Sequence, residues 1–181
     1  MDVLKPRNLL LALVSALLLA QPALASREYQ LKAAFIYNFI KFVEWPSTPD
    51  TIKVGILGTD PFAGELNKLE SKKVGNRSIQ VTQLKSLADA RHCQVVFTSD
   101  AAQAKKLVAE LAGEPVLTVS DAAGFSEQGG CITLMSSRNR IRFAINTKTL
   151  KDSRLKASSK LLGLAEKLYS MESLEVVARA I

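Results

Sequence analysis

Ile52-Lys53-Val54-Gly55-Ile56-Leu57-Gly58-Thr59-Asp60-Pro61 is the stretch that decides the fold. The near-continuous apolar run from Ile52 to Leu57 reads as a strand covered on both faces, the kind found in the middle of a parallel sheet. Gly58 and Thr59 then read as a turn into a helix. Asp60 is suited to cap that helix, and Pro61 to occupy its first position, where the missing N–H costs nothing. A doubly buried strand feeding a helix is the repeating unit of an α/β domain.

Toward the C-terminus the alternation continues. Ile79–Leu84 is a candidate strand, Ser86–Arg91 a short helical turn, and Cys93–Thr98 (Cys-Gln-Val-Val-Phe-Thr) a second buried strand. Ala101–Ala112 predicts an amphipathic helix with Ala104, Leu107, Val108 and Leu111 on one face. Val116–Val119 is a further strand. Cys131–Met135 and Ile141–Ile145 are joined across only Ser136–Arg140, too short for a parallel crossover, so they predict an antiparallel hairpin. Thr149 with Asp152 forms a weak capping box for one long last helix, with Leu155, Leu161, Leu162, Ala165 and Leu168 on its apolar face. The fold class expected is therefore α/β: one layered domain, a mostly parallel sheet with an antiparallel C-terminal hairpin, and helices on both faces.

Toward the N-terminus, Leu31–Val43 carries Leu31, Phe35, Phe39 and Phe42 at helical spacing, and Ile36, Ile40 and Val43 widen the stripe. Trp45-Pro46 closes this helix, because a residue before proline is pushed out of the α region. Ahead of it lie Lys5 and Arg7, an uncharged run from Leu9 to Ala20, and Ala23-Leu24-Ala25. That order is a cleavable signal peptide over residues 1–25, with cleavage expected between Ala25 and Ser26 and export to the periplasm. The apolar run is short of the roughly 20 residues a span needs, so no direct membrane insertion is expected.

The remaining 156 residues, 26–181, are the size of one domain. Their net charge is +6 once the leader is removed, which fits an acidic partner, an anionic surface or simple solubility. Nucleic acid is not expected as a partner, since the Lys and Arg residues are spread along the chain instead of gathered in one arm. His92 has no second His and no acidic pair at ligand spacing, so neither a metal nor a cofactor is expected. No G-x-S-x-G or G-x-G-x-x-G occurs, and no nucleophile stands with a base, so the chain is not expected to be an enzyme.

Three segments taken together resemble a known family. They are Lys32-Ala33-Ala34-Phe35-Ile36-Tyr37-Asn38-Phe39-Ile40-Lys41-Phe42-Val43-Glu44-Trp45-Pro46, then Val54-Gly55-Ile56-Leu57-Gly58-Thr59-Asp60-Pro61-Phe62, then Leu155-Lys156-Ala157-Ser158-Ser159-Lys160-Leu161-Leu162-Gly163-Leu164-Ala165. In this order, after a signal peptide, they resemble the YfiR family of exported α/β proteins. That resemblance implies a periplasmic repressor, acting through protein contact, whose partner is the periplasmic sensory domain of a membrane-bound diguanylate cyclase. A homodimer is the expected state.

Four groups of residues are candidates for function. Phe39, Phe42 and Trp45 belong to an aromatic stripe wide enough to serve either the core or a partner interface. Arg138, Arg140 and Arg142 lie on the hairpin, where Arg140 and Arg142 share one face and suit either an acidic partner or plain solvation. Asp60, Ser99 and Asp121 follow successive strands and would line a small-ligand crevice, which makes a periplasmic ligand-binding protein the alternative function. Cys93 and Cys131 are expected to stay unbridged. With the Val116 strand between them, their Cα atoms would be about 9–10 Å apart, beyond disulfide reach.

Overall fold

The computed structural model describes residues 21–137 and 140–170. Residues 1–20, which carry most of the expected leader, and Arg138 lie outside them. The described chain forms one α/β domain around a mixed sheet. Helix α1 (Gln21–Phe42) leads into a two-residue strand β1 (Val43–Glu44), and β2 (Thr51–Leu57) comes next. After it stand a 3₁₀ segment (Leu66–Ser71), β3 (Lys73–Val74), β4 (Arg77–Leu84), a 3₁₀ turn (Ala88–His92) and β5 (Val95–Thr98). Helix α2 (Ala101–Glu110) precedes β6 (Leu117–Ser120), β7 (Ile132–Ser137) and β8 (Arg140–Asn146). Helix α3 (Thr147–Asp152), β9 (Lys156–Ala157), α4 (Ser159–Leu164) and β10 (Lys167–Tyr169) complete the described elements.

The main sheet has the order β10-β8-β7-β6-β5-β2-β4-β3. Its five central strands, β4-β2-β5-β6-β7, are parallel. Their order is that of a doubly wound sheet that starts in the middle and grows both ways, with its switch point between β2 and β5. The hairpin β7–β8 is antiparallel, pairing Ser137 with Arg140 and Ile132 with Ile145, and β10 adds parallel to β8.

Each face is covered, which explains the unbroken apolar strands. Ile52, Val54 and Ile56 of β2 point toward α1, whose Ile36, Phe39 and Ile40 are completely buried. Leu57 and Val96 point the other way, against Leu107 and Leu111 at α2. Burying a side chain such as Phe39 contributes roughly 1.5–3 kcal/mol. Helix α2 starts where Asp100 accepts from the Gln103 amide at 2.8 Å.

Two expectations are corrected. No α-helix follows Pro61: the Asp60 carboxylate accepts from the Phe62 amide at 2.8 Å, an Asx-type turn that leads into turns and the 3₁₀ segment. Nor is there one long last helix. Asn146, not Thr149, caps α3, accepting from the Thr149 amide at 2.9 Å. The chain then reverses at Arg154, in left-handed conformation at φ 57°, and Ser158 caps a separate α4. The break lets β9 pair antiparallel with β1, Val43 opposite Ala157 and Glu44 opposite Lys156.

Candidate functional site

At the C-terminal edge of the parallel strands, where a crevice was expected, the protein's own first helix is seated. Asp121, just past β6, accepts from Tyr29 Oη at 3.0 Å and from Lys32 Nζ at 2.6 Å. Lys32 also meets Glu28 at 2.6 Å, which in turn accepts from Ser136 Oγ at 2.6 Å. Lys32 is only 3% exposed. Burial works to lower its pKa, but hydrogen bonds to Asp121 and Glu28 outweigh that and raise it. Asp121 is therefore engaged within the chain, Asp60 is spent on its own turn, and Ser99 is half-buried just past β5.

The opposite edge is more open. There a groove of about 680 Å³ is floored by Trp45, Pro46, Leu150, Leu155, Ala157 and Leu162 and rimmed by Lys151, Arg154 and Lys156. Its floor is built where the β1–β9 ladder brings residues 43–46 against residues 155–162. These are the ends of two segments more than a hundred residues apart in sequence that carried the family resemblance. Among the described residues, none of the three rim cations has an ion-pair partner, whereas Lys32, Lys68, Arg91, Arg142, Lys148 and Lys167 do. Glu44 also lines the groove, but it is one carboxylate against three cations.

Arg154 occupies the position after α3 where glycine is usual. The Leu155 amide bonds back to the Leu150 carbonyl at 2.8 Å, closing a Schellman-type end. An arginine in that left-handed conformation is strained by about 1 kcal/mol. Strain of this kind concentrates at functional positions.

The aromatic expectation divides. Phe39 is fully buried and Trp45 is 7% exposed, with its indole N–H donating to the Gln94 carbonyl at 3.1 Å. Both are therefore corrected to core residues, because the sheet and the 155–165 segment cover the wide stripe. Trp45 keeps one edge in the groove floor. Phe42 is half-buried, with Lys41 and Lys160 over its ring at 5.8 and 5.4 Å. Arg142 pairs with Glu166 at 2.9 Å, and Arg140 stands exposed at the start of β8. Sequence reasoning missed Lys151, Arg154 and Lys156 as candidates; Lys156 alone lies within a segment that carried the family resemblance.

Cys93 and Cys131 are buried free thiols, and β6 does lie between β5 and β7. Burial pushes both thiols above the usual range, which leaves them protonated and unreactive near neutrality. Among the described residues no group of His, Cys, Asp and Glu is placed to hold a metal. No helix among them is long and apolar enough to cross a membrane.

A doubly wound α/β domain with an appended antiparallel strand and a basic groove at its N-terminal strand edge is the class these features define. The chain belongs to the YfiR/HmsC-like family, whose profile matches residues 29–166. Among curated proteins none matches it. Two of the solved structures similar to this chain show the fold it shares. One, a conserved domain protein from Vibrio cholerae O1 biovar El Tor, is 10% identical with a TM-score of 0.52, covering 77% of this chain and 60% of its own. The other, the ABC domain in complex with L-Trp from Streptococcus pneumonia, is 11% identical with a TM-score of 0.50, covering 72% and 58%. The chain thus spans about three fifths of the length of each.

Proposed function

We propose that this protein is a non-enzymatic periplasmic regulator that inhibits a membrane-anchored diguanylate cyclase by binding its periplasmic sensory domain, and that it works as a homodimer. The observation that carries the reading is the basic groove. Three cations without ion-pair partners among the described residues surround an apolar floor, an arrangement suited to an acidic segment with a hydrophobic anchor. Family membership supplies the class of partner. Inhibition requires only that one conformation of the sensory domain be bound more tightly than the other.

The test is calorimetric titration of the mature chain with a purified sensory domain, alongside cyclase turnover in membranes. Lys156→Glu is expected to weaken binding about tenfold or more, equivalent to about 1.4 kcal/mol, to relieve repression and to leave thermal unfolding cooperative. Wild-type binding should weaken as salt rises. Arg140→Glu, at the far end of β8, tests whether the contact extends to the hairpin. Wild-type protein that neither binds the sensory domain nor lowers turnover would overturn the proposal.

A second reading, a small-ligand-binding protein using Asp60, Ser99 and Asp121, draws support from the pneumococcal domain of similar fold, which is described in complex with L-Trp. Against it stands the seating of Lys32 and Tyr29 on Asp121. Saturable heat on titration with tryptophan, abolished by Asp121→Asn, would favour it.

A further inference from the structure

We infer that the outward face of α1, flanked by Lys72 and Lys73 on one side and by Lys160 on the other, is a docking surface for an anionic lipid bilayer. From Arg27 onward the exposed residues of α1 are Arg27, Gln30, Leu31, Ala34, Asn38 and Lys41. At about 3.6 residues per turn they share one side of the helix, edged by half-buried Tyr37 and Phe42. No carboxylate stands among them. The single acid between Arg27 and Phe42, Glu28, is held by Lys32 and Ser136 instead.

Ring contacts place the cations in one row. Lys72 Nζ lies 4.9 Å and Lys41 Nζ 5.6 Å from the Tyr37 ring centre, while Lys41 and Lys160 lie 5.8 and 5.4 Å from that of Phe42. Lys73 joins at the Tyr37 end, where its carbonyl accepts from the Tyr37 hydroxyl at 3.1 Å. All four lysines are exposed, and among the described residues none has an ion-pair partner. Neighbouring carboxylates are turned elsewhere: Glu65 to Lys68, Glu70 to the Val81 amide and Glu44 to the groove. Like charges gathered this way repel one another, and an anionic counterpart relieves the repulsion. Because the row rises from three separate elements, it suits phosphates that rearrange laterally beneath it better than a protein surface of fixed shape. Apolar groups complete the face: Leu31 is 40% exposed, and Leu164, one turn along α4 from Lys160, is 64% exposed. Leucine and aromatic rings interleaved with lysine suit a helix that lies in the headgroup layer without spanning it. The inference rests on the export proposed above and not on the cyclase.

Cosedimentation of the mature chain with two kinds of vesicle tests it: phosphatidylcholine alone, and phosphatidylcholine with about one third phosphatidylglycerol. The wild type is expected to pellet with the second kind only and to be released by high salt. Lys41→Gln/Lys72→Gln/Lys160→Gln should lower partitioning roughly a hundredfold, about fivefold for each cation removed, while thermal unfolding stays cooperative. Lys85→Gln/Lys105→Gln/Lys106→Gln removes the same charge from the end of β4 and from α2 across the sheet, and should partition nearly as the wild type does. Soluble glycerol phosphate, at the same total phosphate concentration, should not compete. Equal loss in the two triple variants would overturn the inference, by showing that net charge alone drives adsorption. Failure of the wild type to pellet with phosphatidylglycerol would overturn it as well, and so would competition by glycerol phosphate. If the first triple variant instead lost only its binding to the sensory domain, the face would belong to an acidic protein partner; that result would sink the bilayer and leave the proposed function standing.

Discussion

Lys32 is a buried cation shared by two carboxylates, and its worth lies in what its loss would strand. Replacing it with Met leaves Asp121, with a side chain only 11% exposed, supported by the Tyr29 hydroxyl alone. Breaking such a pair costs about 3 kcal/mol or more, so Lys32→Met should lower the midpoint of thermal unfolding sharply while Lys68→Met, on an exposed pair, changes it little. The pH dependence has a definite sign. Burial acts to raise the Glu28 pKa, but hydrogen bonds from Lys32 and Ser136 outweigh it, and the value ends below the usual one. Its contribution is therefore present at neutral pH and lost as pH falls below roughly 4–5, the ordinary glutamate range. Lys32, raised in the folded state, contributes below its unfolded value and stops only in strong base. Unfolding monitored from pH 7 to pH 3 should show an acid loss that is shallower in Lys32→Met. Arg154 offers a test of opposite sign. Arg154→Gly relieves the left-handed backbone and should stabilise the fold by about 1 kcal/mol while weakening whatever the groove binds.

At the level of elements, the short polar contacts between loop and strand decide where helices begin. Asn146 is 1% exposed and works at both ends, its oxygen capping α3 and its nitrogen donating to the Ser126 carbonyl at 2.7 Å. Asn146→Ala should cost about 2 kcal/mol, the high end for a helix cap, measured by denaturant unfolding. Gly130 has a different reason for its identity: a Cβ there would run into the buried Phe125 ring. Gly130→Ala is expected to cost about 1–3 kcal/mol by overpacking. The strand order also bears on the thiols. With β6 between β5 and β7, Cys93 and Cys131 stand just ahead of non-adjacent strands. Labelling of denatured, unreduced protein should modify both, and protection of both until a reductant is added would contradict that placement.

For the molecule as a whole, α1 lies along one face, its Lys32 end at the C-terminal strand edge and its Phe42 end leading through β1 to Trp45 in the groove. Glu28, Tyr29 and Lys32 tie its N-terminal part to Asp121 and Ser136, all after residue 26, so cleavage behind Ala25 would leave every one of these contacts in place. Fractionation is expected to find a mature form beginning at Ser26 in the periplasm; full-length protein in the cytoplasm would contradict the proposed location and role.

The α/β class, the two doubly buried strands at Ile52 and Cys93, helix α2 and the β7–β8 hairpin were legible in the sequence, because hydrophobic periodicity and loop length are local quantities and determine element type. The family resemblance was legible for a related reason: its segments are contiguous strings. Where α3 begins was not legible. A capping box at Thr149 and a cap at Asn146 both suit the local chain, and the choice was made by Ser126, which is distant in sequence but packed against Asn146. Burial of the aromatic stripe was likewise undecidable from periodicity, which says that a face is apolar but not what covers it. Only the tertiary structure brought residues 43–46 against residues 155–162, because a groove made by two segments more than a hundred residues apart exists only once long-range pairing has formed.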